Sequence, residues 1–282
     1  MAYKYSFLEH ILFNKTTLKR KQLQSKLNGK TVLITGATFG IGEELTLLLS
    51  DFKVNLILVA RTQEKLDFLK NKLKFTSAKI YTFRADLTLE NEVDYLIEEV
   101  KKLGMSLDIL VCNAGKSIRR SIWDSLNRYH DFTRTISLNY LANVKLILNF
   151  LPDLQKTKGQ IINMSAINVK LNSTPKWAAY QASKSAIDLW FESVSPEFKV
   201  KNISCTTIYL PLVKTRMILP TTQYANFPAM HPKHVAIKVA NSFINQPLTI
   251  KPWWLSSVVL ANFIVKPFWF SINYFWLKRE NK

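Results

Sequence analysis

The stretch that decides the fold is Thr31-Val32-Leu33-Ile34-Thr35-Gly36-Ala37-Thr38-Phe39-Gly40-Ile41-Gly42-Glu43-Glu44-Leu45-Thr46-Leu47-Leu48-Leu49. Thr31 to Thr35 are β-branched and apolar without alternation, the pattern of a strand buried on both faces. From Glu43 to Ser50 the apolar residues recur at helical spacing. Gly36, Gly40 and Gly42 lie between, where the chain must turn sharply and bring helix close to strand. Such a turn also lets a phosphate approach bare backbone, and the helix N-terminus adds amide donors and the positive end of its dipole. A glycine run alone says little. The strand before it and the helix after it give it meaning.

Outward from this unit the same alternation continues: Val54–Ala60 before a helix over Gln63–Leu73, Lys79–Ala85 before Asn91–Leu103, and Leu107–Cys112 before a long helical stretch to Leu151. Gly159–Met164, a helix through Tyr180–Val194 and Ile203–Tyr209 complete it. Strands that are continuously apolar and separated by helices predict an α/β fold, a doubly wound parallel sheet covered on both faces. At 282 residues one such domain is expected over 29–250, flanked by extensions over 1–28 and 251–282.

The net charge of +19, from 39 Lys and Arg against 20 Asp and Glu, favours anionic partners such as phosphates, coenzyme A or acidic lipid. A solvated, lysine-rich surface is the plain alternative, and no nucleic acid partner is read. Cys112 and Cys205 both sit in apolar runs, which argues against a disulfide framework. Met1 to Leu27 lack the apolar run and cleavage site of a secretory signal. A reducing, cytoplasmic setting is expected, with contact at the inner face of the membrane left open.

Tyr3 to Leu27 place Phe7, Leu8, Ile11 and Leu12 among lysines, which suits a basic amphipathic helix or helix pair. Pro252 to Leu277 are rich in Trp, Phe and Tyr, and the uncharged run Pro252–Val265 is stopped by Lys266-Pro267, short of the roughly 20 apolar residues of a spanning helix. A substrate lid, a dimer-packing arm, an interfacial anchor and plain packing on the core stay open for this segment.

The second strand ends in Val59-Ala60-Arg61, where folds that prefer NAD place an acidic group for the ribose hydroxyl. A guanidinium there suits a 2′-phosphate and hence NADP(H); a bare surface charge is the alternative.

Thr35-Gly36…Gly40-Ile41-Gly42, Asp86-Leu87, Asn113-Ala114-Gly115 and Tyr180-Gln181-Ala182-Ser183-Lys184 fall in one order and spacing. From Gly29 to Ile218 the chain thereby resembles the short-chain dehydrogenase/reductase family, with its Rossmann-type fold. The resemblance implies that Gly36, Thr38, Gly40, Ile41 and Gly42 cradle the dinucleotide and that Asp86 and Leu87 contact the adenine. It places Asn113, Ala114 and Gly115 beside the cofactor, and Val213 and Thr215 at the nicotinamide carboxamide. Leu212 stands where the family has glycine. Asn139 matches the asparagine that keeps a water in the proton relay, and homodimers or homotetramers are implied.

Tyr180 and Lys184 are four apart, one above the other on a helix, so the ammonium is expected to lower the phenol's pKa. The resemblance makes Tyr180 the acid/base and gives Lys184 the nicotinamide ribose as well. The family's substrate-binding serine falls on Ala166, with Ser165 one place early in Asn163-Met164-Ser165-Ala166. Adjacent strand residues face opposite sides, so Ser165 replaces it only if the strand bulges or slips; it is carried forward as a catalytic candidate, with Ser173 as another source of a hydroxyl.

Three stretches, Asn113–Arg120, Tyr129–Thr135 and Tyr209–Thr221, are similar to bacterial fatty acyl-CoA and long-chain aldehyde reductases. A hydrophobic acyl substrate is therefore expected, with Lys116, Arg119 and Arg120 available to a coenzyme A phosphate. A 3-oxo or steroid-like alcohol dehydrogenase, and an NADP(H)-binding or membrane-associated protein with weak catalysis, are the competing readings. The four histidines show no metal-ligand spacing; His231-Pro232-Lys233-His234 reads as a helix cap.

Overall fold

The computed structural model describes residues 5–280, the side chain of Ala225 excepted. Seven parallel strands, β1 (Thr31–Thr35), β2 (Asn55–Ala60), β3 (Lys79–Arg84), β4 (Ile109–Cys112), β5 (Gln160–Ala166), β6 (Ser204–Leu210) and β7 (Thr249–Ile250), form one sheet in the order β3-β2-β1-β4-β5-β6-β7. The helices are α1 (Phe7–Leu12), α2 (Arg20–Leu27), α3 (Gly40–Leu49), α4 (Gln63–Lys72), α5 (Glu90–Lys102), α6 (Tyr129–Ile136), α7 (Ala142–Thr157), α8 (Ala178–Val200), α9 (Pro232–Asn245), α10 (Leu255–Val265) and α11 (Trp269–Glu280). The doubly wound Rossmann-type sheet expected from the sequence is the one present.

Why the strands read as unbroken apolar runs is visible in their two faces. Val32 and Ile34 of β1, with Leu56 and Leu58 of β2, pack into a core against Leu45 of α3 and Val239 of α9. Their neighbours Leu33, Ile57 and Val59 point the other way, into a second core with Leu96 of α5, Leu146 of α7 and Ile187 of α8. Side chains alternate along a strand, so a sheet covered twice needs apolar residues at every position.

Three segments depart from the sequence reading. The expected helix running to Leu151 is α6 and α7 joined through a π-helical turn, Ser137–Leu141. The amino-terminal segment is the helix pair that the sequence allowed, α1 and α2, and the departure lies only in its packing: Phe13, Leu23 and Leu27 are buried in the first core; Tyr3 lies outside the described residues. The carboxyl-terminal segment does not stop at Lys266-Pro267. Pro267 falls in the opening turn of a short 3-10 stretch, where a missing amide costs nothing. Helix therefore continues over Leu255–Glu280, 26 residues that by length and composition are apolar enough to cross a membrane.

Candidate active site

The order of the strands reverses at β1, with β2 on one side and β4 on the other. Chains that leave the carboxyl ends of β1 and β4 there part to opposite faces and leave a crevice, the usual ligand position in open α/β sheets. The glycine turn closes one side of it. Gly36 and Gly40 have φ of +66° and +56°, a left-handed conformation that a side chain disfavours. Gly42 has no room for a Cβ, which would strike the carbonyl of Gly36 and the carboxamide of Asn113.

Asn113 and Thr35 fasten this turn. The Asn113 Nδ2 donates to the carbonyls of Thr35 (2.9 Å) and Gly36 (3.2 Å), while the Thr35 hydroxyl accepts from the amides of Asn113 (3.0 Å) and Ala114 (2.9 Å). Sequence reasoning gave Thr35 no role, although a hydroxyl at the end of a buried strand is a signal of one. No side chain caps α3, so its first amides are left to a ligand. Thr38 is buried and Ile41 packs on the core.

Asp86 caps the next turn, its Oδ1 accepting from Thr88 N (3.0 Å) and Oγ1 (2.7 Å). Burial would raise its pKa, but the Thr88 hydrogen bonds and the charges of Arg61 and Arg134 outweigh it and hold it below the usual carboxylate range. Arg61 is exposed, and its guanidinium has no ion-pair partner among the described residues. The Lys116 pKa is lowered by burial and by Arg134, with Arg61 adding to the effect, so Arg61 and Arg134 act on both Asp86 and Lys116. Arg134 was not singled out by the sequence. Leu87 is 5% exposed and packs in the second core; what it offers a ligand is its backbone. This donor set, free helix amides beside unpaired guanidinium and ammonium groups, fits a dinucleotide with an added phosphate.

Across the crevice the segment after β6 lies over the glycine turn. A Cβ on Gly40 would come 2.9 Å from Thr215 Cγ2. The segment is pinned by Val213 pairing with Met230 and by the Met230 amide donating to the Leu212 carbonyl (2.7 Å). An open cleft of ≈ 630 Å³ between them is lined by Phe39, Gly40, Glu43, Thr215, Tyr224 and Phe227.

Asn139, fully buried, sits on the π-helical turn, a geometry that re-aims one side chain within a helix. Its Oδ1 accepts from the Lys116 amide (2.9 Å), and its Nδ2 donates to the Lys116 carbonyl (3.0 Å) and the Ser183 hydroxyl (2.9 Å). Ser183 in turn donates to the Tyr180 carbonyl (2.8 Å), which ties Asn139 to α8. Gly115 stands between Asn139 and Lys184: a Cβ there would lie 3.3 Å from Asn139 Oδ1 and 3.7 Å from Lys184 Nζ. Asn139, Gly115 and Lys184 are thus neighbours, joined through Ser183 to the backbone of Tyr180.

Two sequence-based expectations about these residues are corrected. Lys184 Nζ donates to the Met164 carbonyl (2.8 Å), and burial pushes its pKa down to about 8. It does not depress the phenol. Burial, with the neighbouring Tyr224, pushes Tyr180 up to about 12, so its phenol keeps its proton at neutral pH. Trp177 meets Tyr180 edge-on (5.9 Å) and stacks on Tyr224 (5.9 Å), an aromatic wall that the sequence did not announce.

Ser165 is the second. β5 pairs with β6 residue for residue from Gln160 to Ala166, without a bulge or slip. Ser165 therefore keeps the face its position dictates, is 2% exposed, and donates to Asp188 Oδ1 (3.1 Å). Its hydroxyl is spent on Asp188, and Ala166 ends the strand. The basic loop is likewise committed in part: Arg120 and Arg128 pair with Asp131 (3.2 and 3.0 Å), and Arg119 faces Glu280 (4.0 Å).

The chain is similar to several known proteins. The chain is 40% identical over 228 residues, 80% of it and 77% of the relative, to a fatty acyl-CoA reductase of Acinetobacter baylyi. It is 34% identical over 227 residues, again 80% and 77%, to a fatty acyl-CoA reductase of Mycobacterium tuberculosis. A metagenomic short-chain oxidoreductase solved in complex with NADP superposes with a TM-score of 0.67 at 22% identity, covering 80% of this chain and 98% of that one, and attests the fold. The model of the family described as short chain dehydrogenase matches residues 30–224, from the glycine turn through Tyr180 and beyond it, and the chain belongs to that family.

Proposed function

We propose that the protein is an NADP(H)-dependent reductase of a carbonyl on a hydrophobic, lipid-derived substrate, an acyl-CoA or long-chain aldehyde, with Tyr180 as general acid. The observation that carries this reading is the assembly of Asn139, Lys184 and Tyr180 at the crevice that the glycine turn closes. A coenzyme held in the crevice would supply hydride to the carbonyl carbon. The free amides of α3 and the turn from Gly36 to Gly42 would hold its pyrophosphate, and Arg61, with Lys116 and Arg134, its 2′-phosphate. Asp86, Asn113, Ala114 and Gly115 border the same path, and Val213 and Thr215 close it from above. A phenol pushed up to about 12 keeps its proton at neutral pH and can donate it to the carbonyl oxygen, the role that reduction requires. Lys184 and Asn139 position that phenol through Ser183 and α8. Trp177 and Tyr224 exclude water from it and offer an apolar wall to a chain.

A second reading, a coenzyme-binding protein of weak catalysis, is favoured by one observation: no serine hydroxyl stands at Ala166. Coenzyme consumption by the full chain with long-chain aldehydes, acyl-CoAs and ketones separates the readings. NADPH-dependent turnover of an acyl-CoA or aldehyde is expected, with Tyr180→Phe lowering kcat by about a hundredfold or more while NADPH binding persists. Tight NADPH binding without turnover of any substrate would replace the reductase by the second reading, and turnover of ketones alone by an alcohol dehydrogenase.

A further inference from the structure

The helical arm Leu255–Glu280 lies along the body and is tied to it at intervals. Trp253 Nε1 and Trp254 Nε1 donate to the carbonyls of Ile11 (3.1 Å) and Leu12 (3.2 Å). Asn262 accepts from the Asn172 amide (2.7 Å), Trp269 Nε1 donates to the Ser173 carbonyl (2.7 Å), and Glu280 pairs with Lys176 (2.7 Å). A helix held at both ends and the middle lies flat on its domain; its length of about 39 Å runs along the surface instead of projecting from it.

Its outward side is apolar. Leu260, Phe263, Ile264, Phe268, Phe270 and Phe275 are between 61% and 81% exposed, and α1 adds Phe7, Leu8 and Ile11 at the end where Trp253 meets it. α10 carries no charged residue at all, and of its side chains only Leu255 is buried. An apolar surface this extended is rare on a soluble monomer and marks an interface.

Charge decides which interface. Lys266, Lys278 and Arg279 are exposed on the arm, and Glu280 is its only acidic residue from Pro252 onward, already paired with Lys176. A twofold contact between two copies brings the same face against itself. Here it would oppose cations to cations without an anion to pair them. An anionic lipid surface supplies both missing partners, acyl chains for the aromatics and phosphates for the lysines. We propose that this face docks on an anionic bilayer, the arm lying in the interfacial plane with Leu260, Phe263, Ile264 and Phe270 among the acyl chains and Lys266, Lys278 and Arg279 among the headgroups. The loop Ser173–Lys176 that leads into Tyr180 is tied to the same arm, so the docked face adjoins the entrance to the crevice.

Flotation of the full chain with vesicles of phosphatidylglycerol and phosphatidylethanolamine, against vesicles of phosphatidylcholine, tests this without any turnover and thus apart from the reductase reading. The wild type is expected to float with the anionic vesicles at least tenfold more than with the neutral ones. A Leu260→Ser, Phe263→Ser, Ile264→Ser triple variant and, separately, a Lys266→Glu, Lys278→Glu variant are expected to lose that tenfold, with unchanged circular dichroism and unchanged lipid-free mass by light scattering. No flotation of the wild type, or equal flotation of either variant, would overturn the proposal. So would a triple variant that turns a lipid-free dimer into a monomer, which would assign the face to a second copy.

Discussion

Arg61 and Ala166 are the two positions where one side chain decides most. The Arg61 guanidinium has no ion-pair partner among the described residues, and a charge-assisted pair with the proposed 2′-phosphate would contribute about 1.5–3 kcal/mol. Arg61→Ala should therefore weaken NADPH by roughly tenfold to a hundredfold and leave NADH nearly unchanged; fluorescence titration with both coenzymes reads this, and an equal loss for both would remove Arg61 from the 2′-phosphate. Ala166 stands where the resemblance implies a substrate-binding serine, and a hydroxyl donor aimed at a developing oxyanion is worth about a hundredfold in rate. Ala166→Ser is expected to raise kcat by roughly tenfold or more, and an unchanged kcat would mean that another group already donates there. The motif residues were legible because each stands at a fixed offset from a strand or helix end. The direction of the Lys184 and Tyr180 shifts was not. Spacing shows that two groups share a helix face, but it does not show that one of them is buried and bonds the Met164 carbonyl, nor that the surroundings of the other disfavour its charge.

Among the elements, the helix pair before β1 shows how a segment outside the family pattern is held. His234, fully buried on α9, bonds Tyr5 Oη (2.8 Å) and Thr16 Oγ1 (3.0 Å), while Glu9 receives the Ala229 amide (3.1 Å) and Lys214 (2.6 Å). Burial, aided by Lys238, pushes His234 from 6.5 down to about 4. The unfolded chain then binds the proton that the folded one refuses, so the contribution is complete above pH 6.5 and is lost as pH falls toward 4. The shift corresponds to at most about 3 kcal/mol. Melting temperature against pH should fall over that range, and His234→Gln should flatten the fall; an unaltered slope would assign it to carboxylates. Glu9 acts lower. Burial would raise it, but its hydrogen bonds from Lys214 and the amides of Ser6 and Ala229 hold it at about 2, so its share is lost between 4.5 and 2. The contacts from the helix pair to α9 and its approach were not legible, since they join residues more than 200 apart in the chain; the bond of the Ser6 amide to Glu9 spans only three.

For the molecule as a whole, the alternation of apolar strands with helices fixed the class of fold, and the glycine turn fixed which crevice matters. What it left open was the disposition of the two ends, because amphipathic patterning shows that a face is apolar and not what covers it. The arm and α1 resolve into one continuous surface only when Trp253 and Trp254 are seen to join them. A different feature of the architecture bears on how the chain behaves in a crowded solution. Unlike a barrel, the sheet is open and ends in two rims. One, β7, spans only Thr249–Ile250, and the other, β3, begins with Lys79 and ends with Arg84. A rim two residues long cannot template a foreign strand, and one bracketed by like charges repels its own kind. The fold thereby keeps unpaired backbone at its margins without inviting the stacking that leads to fibrils.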